Sequence, residues 1–246
     1  MYSIVSKVVG AVPKKIKEDV NFNLNIENLI DQTNDATKVI YIASPNNPTG
    51  TYLSRDQLVK LMNSISKNII VVIDGAYVEY VQKDDYDKGF SLTDEYENII
   101  LTRTFSKTYG LAALRVGWCY TSQKIADIIN KIKPPFNTTT ISQSLAIKAL
   151  EDKEHIENSV KLNSEIKDWF EKELKLLNIK TRQTEGNFTL IETSEEEAEK
   201  ISNHLMNDGI IIRRLNSYNL PNFLRISIGT KEEMDLTVES LKKLNV

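Results

Sequence analysis

Short apolar, β-branched runs alternate with longer amphipathic stretches through the first two thirds of the chain, and that alternation leaves few folds open. Residues 38–43 (KVIYIA), 69–74 (IIVVID), 98–102 (NIILT) and 116–120 (VGWCY) read as strands. Their nearly continuous apolar character predicts strands buried on both faces of a parallel sheet. Between the first two lies a predicted helix, 54–67, with Leu58, Leu61, Met62 and Ile65 at helical spacing. Ser54 and Gln57 have the spacing of a capping box at its start. A second helix is expected over 122–133, with Ile125, Ile128, Ile129 and Ile132 on one side.

The last third changes character. A long charged helix is expected over 153–177, then a strand (188–192), a helix (194–208), two strands (209–213 and 223–228) and a helix (231–244). Ser194 with Glu197, and Thr230 with Glu233, repeat the capping-box pattern. Gly209 stands where a glycine would end a helix. The expected fold class is therefore α/β: a large domain with a mainly parallel sheet over 1–150, then a connecting helix and a smaller C-terminal α+β domain over 151–246.

Composition narrows the chemistry. A chain of 246 residues can bury a core without disulfide or metal staples. A net charge of −3 gives no electrostatic reason to expect nucleic acid or an anionic membrane as partner. The nearest glycines, Gly110 and Gly117, are too far apart for a GxGxxG, Walker A or GxSxG loop. The single Cys119 excludes an internal disulfide and reads as a buried small hydrophobe. His155 and His204 sit apart in helical patterns and read as surface or helix-packing residues, and the acidic run 195–197 as a favourable first helical turn. No apolar run is long enough to span a bilayer and the N-terminus makes a poor signal peptide, so a soluble, cytoplasmic protein is expected. Among the 31 basic residues only seven are Arg. Where this chain uses Arg, a planar bidentate donor is the property Lys lacks.

Three strand ends share one design, an apolar run that stops abruptly in polar residues, and ligands of open α/β sheets bind beyond such ends. The first is Ser44-Pro45-Asn46-Asn47-Pro48-Thr49-Gly50, where two prolines restrict the backbone around Asn47. The second is Asp74-Gly75-Ala76-Tyr77, an acid closing a buried strand, which needs a cation, a donor network or solvent. The third runs from Thr102 to Trp118: Lys107 lies among hydroxyls, with Arg115 eight residues on. A partly desolvated Lys near other cations suits Schiff-base chemistry, and two hydroxyls plus an Arg suit a phosphate.

Together these segments resemble the fold-type I, aspartate-aminotransferase-like family of pyridoxal-phosphate enzymes, in order and spacing over the whole chain. The segments Lys133-Pro134-Pro135-Phe136-Asn137, Ile212 to Pro221 and Leu224-Arg225-Ile226-Ser227-Ile228-Gly229-Thr230 are similar to its histidinol-phosphate aminotransferase branch. The resemblance implies pyridoxal 5′-phosphate as cofactor, bound through a Schiff base to Lys107, which then moves the substrate's Cα proton. It implies that Asp74 keeps the ring nitrogen protonated and that Asn47 and Tyr77 donate to the ring's phenolic oxygen. Ala76 would pack on the ring face, and Thr104, Ser106 and Arg115 would hold the 5′-phosphate. Arg225 would bind the anionic group of the substrate, with Arg213 acting similarly across a subunit interface.

The activity so implied exchanges histidinol phosphate and 2-oxoglutarate for imidazole-acetol phosphate and glutamate, in a homodimer. Aromatic or other amino donors, a phosphate-substrate decarboxylase and a non-catalytic fragment are the alternatives. Gly75 departs from the acid common at that position in the branch. Family chains begin well before the position matched by Met1. The resemblance therefore implies that a glycine-containing phosphate turn, a ring-stacking aromatic and the N-terminal parts of both domains lie outside this sequence, leaving apolar faces partly uncovered.

Overall fold

In the computed structural model, which describes residues 2–244, the apolar runs of the first half become one four-stranded sheet. The chain opens with two short helices, α1 (Tyr2–Val8) and α2 (Ile26–Asp31). Asn25 caps α2, its side chain accepting from the Asn28 N–H at 2.8 Å. Next come β1 (Val39–Ala43), α3 (Arg55–Ser64), β2 (Ile70–Asp74), α4 (Phe90–Glu95), β3 (Ile99–Thr104) and β4 (Gly117–Thr121). The capping box of α3 is complete: Ser54 Oγ accepts from the Gln57 N–H (3.3 Å) and Gln57 Oε1 from the Ser54 N–H (2.9 Å). The helix thereby presents Leu58, Leu61 and Met62 to a core that also contains Ile42, Val71, Ile73 and Leu101.

The sheet runs β1-β2-β3-β4, with β1, β2 and β3 parallel and β4 antiparallel to β3. Register sets Ala43 beside Asp74 and Asp74 beside Thr102. The three polar strand ends therefore emerge at one edge, because parallel strands in this register end together.

Two sequence expectations for this sheet need correction. Its strands are not all buried on both faces: β1 alternates exposed and buried, with Val39 and Tyr41 open, and no residue of β4 is buried. Cys119, on β4, is accordingly exposed rather than buried.

The second half begins with α5 (Gln123–Ile132), α6 (Thr140–Glu151) and α7 (Lys153–Leu176). No residue of α5 is buried, and Ile132, Phe136, Ile141 and Leu145 are all exposed. The expected list of helices lacked α6. Its apolar residues Ile141, Leu145, Ile147 and Leu150 lie around the helix rather than on one stripe, and the side chain it buries beside Ala146 is a serine, Ser142, bonded to the Leu114 carbonyl (2.8 Å). At six or seven residues α1, α2 and α4 are too short to leave a periodic signal.

A second four-stranded sheet follows, antiparallel throughout in the order β5-β6-β8-β7. Its elements are β5 (Lys180–Arg182), β6 (Phe188–Glu192), α8 (Glu195–Asn207), β7 (Arg213–Leu215), β8 (Leu220–Ser227) and α9 (Lys231–Lys242). Phe170 and Leu174 of α7 pack with Ile191, Leu205, Leu224 and Val238 in its core. The strand expected over 209–213 is displaced: the ladder with β8 starts at Arg213, opposite Arg225. Ile210 and Ile212 do pack on the core while Ile211 is 89% exposed, so the alternation is strand-like without the strand pairing. Gly209 ends α8 with φ of 82°. Among the described residues no helix is long and apolar enough to cross a membrane.

The two sheets meet at Gly50, whose carbonyl accepts from the Glu185 N–H at 2.8 Å. Gly50 has φ of 75°, and a Cβ there would lie 2.3 Å from Thr184 Cβ and 2.6 Å from its Cα. Gly209 has a similar φ but open space around it. Gly209→Ala should therefore lose about 1–2 kcal/mol, the cost of a left-handed L-residue. Gly50→Ala should lose that plus about 1–3 kcal/mol of overpacking. Denaturant unfolding of both variants measures the difference, and equal losses would refute the close approach at Gly50.

Candidate active site

Beyond the shared strand edge, side chains from five distant segments form one connected set. Tyr77 is 3% exposed and packs edge-on against Phe188 of β6, with ring centroids 5.4 Å apart at 84°. Such T-shaped pairs are a preferred aromatic arrangement. Lys107 Nζ lies 5.1 Å from the Tyr77 ring centroid, and Arg225 Cζ lies 5.3 Å from that of Phe188. Two cations thus flank an aromatic pair, each within cation–π range. Arg225 Nη1 donates to Asn47 Oδ1, which ties β8 to the loop after β1.

That bond also orients Asn47. With its oxygen committed to Arg225, the amide NH2 of Asn47 is left to donate elsewhere. Arg225 Nε is buried without a hydrogen-bond partner, and the Lys107 amine has no ion pair among the described residues. Unused donors of this kind are expected where an anionic ligand completes the site.

The hydroxyls after β3 are ordered locally. Thr104 Oγ1 accepts from the Ser106 N–H (3.1 Å) and donates to Ser106 Oγ (2.9 Å), so the Ser106 hydroxyl keeps its own proton available. Arg115 is exposed, and its guanidinium donates to the Ala112 carbonyl at 2.8 Å. Its backbone is left-handed, with φ of 52°, a conformation uncommon outside glycine and concentrated at functional sites. Ala76 is half-buried next to Tyr77 in the chain.

Arg213 and Arg225 are direct cross-strand partners. Like charges so placed repel unless an anion lies between them or they diverge. Arg214, the next residue, reaches Glu199 at 3.6 Å instead. Gly75 has a local explanation as well. A Cβ there would meet Arg103 Nη1 at 2.3 Å, and Arg103 is 7% exposed and donates to the Thr102 and Lys88 carbonyls. Burial pushes the Arg103 guanidinium down from its ordinary value, opposed by the charges of Tyr86, Glu79 and Asp74.

Asp74 accepts a hydrogen bond from the Tyr2 hydroxyl at 2.6 Å, and Tyr2 stacks on Tyr41 with centroids 5.0 Å apart and planes within 8°. Sequence reasoning missed both Tyr2 and Phe188. Phe188 reads as an ordinary core residue, and no spacing rule connects Tyr2 to an acid 72 positions away.

The Asn47–Arg225 bond can be tested without any ligand. Asn47→Ala leaves a half-buried guanidinium short of an acceptor, so stability should fall by about 1–3 kcal/mol in denaturant unfolding. An unchanged midpoint would show that the guanidinium finds water or another partner.

The comparisons with known proteins agree on one kinship. A histidinol-phosphate aminotransferase of Pelagibacter ubique is 42% identical over 238 residues, covering 95% of this chain and 66% of that protein. Histidinol-phosphate aminotransferase 1 of Idiomarina loihiensis is 36% identical, covering 99% of this chain and 66% of its own length. The chain thus spans about two thirds of the length of these curated relatives. Among solved structures, histidinol-phosphate aminotransferase of Sinorhizobium meliloti, in complex with pyridoxal-5′-phosphate, superposes with a TM-score of 0.90 at 25% identity, over 99% of this chain and 67% of that one. The α/β fold with a mainly parallel sheet is thus the fold of pyridoxal-phosphate-dependent aminotransferases. Residues 1–241 match the family described as aminotransferase class I and II, and the chain belongs to that family.

Proposed function

We propose that this chain carries cofactor- and substrate-binding residues of a pyridoxal 5′-phosphate-dependent aminotransferase. Its reaction would exchange histidinol phosphate and 2-oxoglutarate for imidazole-acetol phosphate and glutamate. The observation that carries the reading is the placement of Lys107, an amine without an acid partner among the described residues, against Tyr77, and of Arg225, a guanidinium with an unused buried N–H, against Phe188 of the same aromatic pair. The names of the relatives supply the substrate.

The chemistry of the donor set suits the cofactor. Asp74 would keep the ring nitrogen protonated, the Asn47 amide and the Tyr77 hydroxyl would donate to the phenolic oxygen, and Ala76 would leave room at the ring face. Thr104, Ser106 and Arg115 hold the 5′-phosphate, as hydroxyls and a guanidinium suit a phosphate. When bound, the protonated ring supplies an electron sink for the pair released as the substrate's Cα–H bond breaks. Lys107 bonds the cofactor between turnovers, accepts the proton from the substrate Cα and returns it during transfer of the amino group. Arg225 would hold the anionic end of each substrate in turn, the phosphate of histidinol phosphate or a carboxylate of glutamate.

The same reading assigns 1–150 to a cofactor-binding large domain and 151–246 to a connecting helix and small domain. It places the enzyme in the cytoplasm as a homodimer, the state in which Arg213 would serve a neighbouring subunit's site.

Two measurements test it. Added cofactor should give a visible absorbance band, borohydride should fix the cofactor to the peptide containing Lys107, and Lys107→Ala should abolish both. Folded protein with no band would refute the cofactor reading for this chain. Arg225→Lys should weaken histidinol phosphate roughly tenfold to a hundredfold, the value of a lost charged hydrogen bond, while leaving the cofactor band in place. Equal loss of both would remove Arg225 from substrate binding.

A further inference from the structure

We infer that Tyr2 is a positioning residue for Asp74: its hydroxyl fixes one carboxylate oxygen and leaves the other to face the ring nitrogen of the cofactor. The inference rests on the cofactor reading above and adds to it a residue from the start of the chain.

Three observations carry it. The Tyr2 oxygen lies 2.6 Å from Asp74 Oδ2, a length typical of a hydroxyl donating to an ionised carboxylate. Among the described residues this is the only hydrogen bond to the Asp74 carboxylate. Without it the terminal torsion of the acid would be free to rotate over a broad range. The donor itself is held in place. Register puts Tyr41, Ala43, Val72 and Asp74 on one face of the sheet, and Tyr2 lies across that face, stacked on Tyr41 with its hydroxyl reaching Asp74.

The geometry has a definite consequence. With one oxygen held by Tyr2, the other oxygen of Asp74 is set to accept from a protonated pyridine nitrogen, and a ring protonated there is a better electron sink. Tyr2 suits this task because it stays a neutral donor. Burial first, then the hydrogen bond and charge of Asp74, push its phenol well above the ordinary tyrosine value. The stacked ring also limits the conformations the donor can adopt, so less freedom is lost when the cofactor binds.

The test uses the full chain with pyridoxal 5′-phosphate labelled with ¹⁵N in the ring. Tyr2→Phe keeps the stack and removes the donor. It should weaken cofactor binding about tenfold and move the ring-nitrogen resonance toward that of unprotonated pyridine. With Asp74→Ala already in place, Tyr2→Phe should change neither quantity. An unshifted resonance in Tyr2→Phe overturns the inference, as does tighter binding, which would make Tyr2 a competitor for the acid. Equal losses in both backgrounds, or loss of the circular-dichroism spectrum in Tyr2→Phe, would assign Tyr2 to packing and overturn it too. A parent chain that takes up no cofactor overturns the underlying reading as well, and so is distinguished from a failure of Tyr2 alone.

Discussion

Parallel pairing of β1, β2 and β3 in one register is the constraint on which the site depends. It places Ala43, Asp74 and Thr102 side by side, and the segments after them carry Asn47, Tyr77 and Lys107. A parallel sheet needs its apolar side chains covered. Here α3 supplies much of that cover through Leu58, Leu61 and Met62, and Ile42, Val71 and Leu101 hold the sheet against it. The polar residues occur where the strands run out of this core, and buried ones such as Ser44 and Thr49 are satisfied there by hydrogen bonds.

The second sheet completes the arrangement. Phe188 crosses from β6 to meet Tyr77, Arg225 crosses from β8 to meet Asn47, and the two backbones approach at Gly50 and Thr184. Because a guanidinium presents several donors in a plane, Arg225 can bond Asn47 through one nitrogen and keep others for a ligand. Asn47 then links the two halves of the site, with its oxygen turned to Arg225 and its NH2 left to donate elsewhere. The scarcity of Arg has a broader meaning than anion binding, however. Arg103 fills the space beside Gly75 and Arg182 pairs with Glu192 at 2.6 Å, so the planar fork also serves the fold itself.

Much of this was legible in the chain. The runs that became β1, β2 and β3 end in the motifs that the structure gathers, and the three capping boxes at Ser54, Ser194 and Thr230 are formed as their spacing implied. Local rules failed where the deciding partner was distant. The segment 209–212 has strand-like alternation but no ladder there, α6 buries a serine against a carbonyl 28 positions away, and Cys119 lies on a strand whose residues are not buried.

Consecutive residues were enough to determine the three capping-box helix starts and the three strand ends, and they carried the resemblance that named the family and the candidate lysine, acid and arginines. Tertiary structure alone decided that Phe188 meets both Tyr77 and Arg225, that Arg213 stands opposite Arg225, and that Tyr2 reaches Asp74. Each of these depends on sheet register and on contacts between segments far apart in the chain, and no local periodicity encodes such contacts.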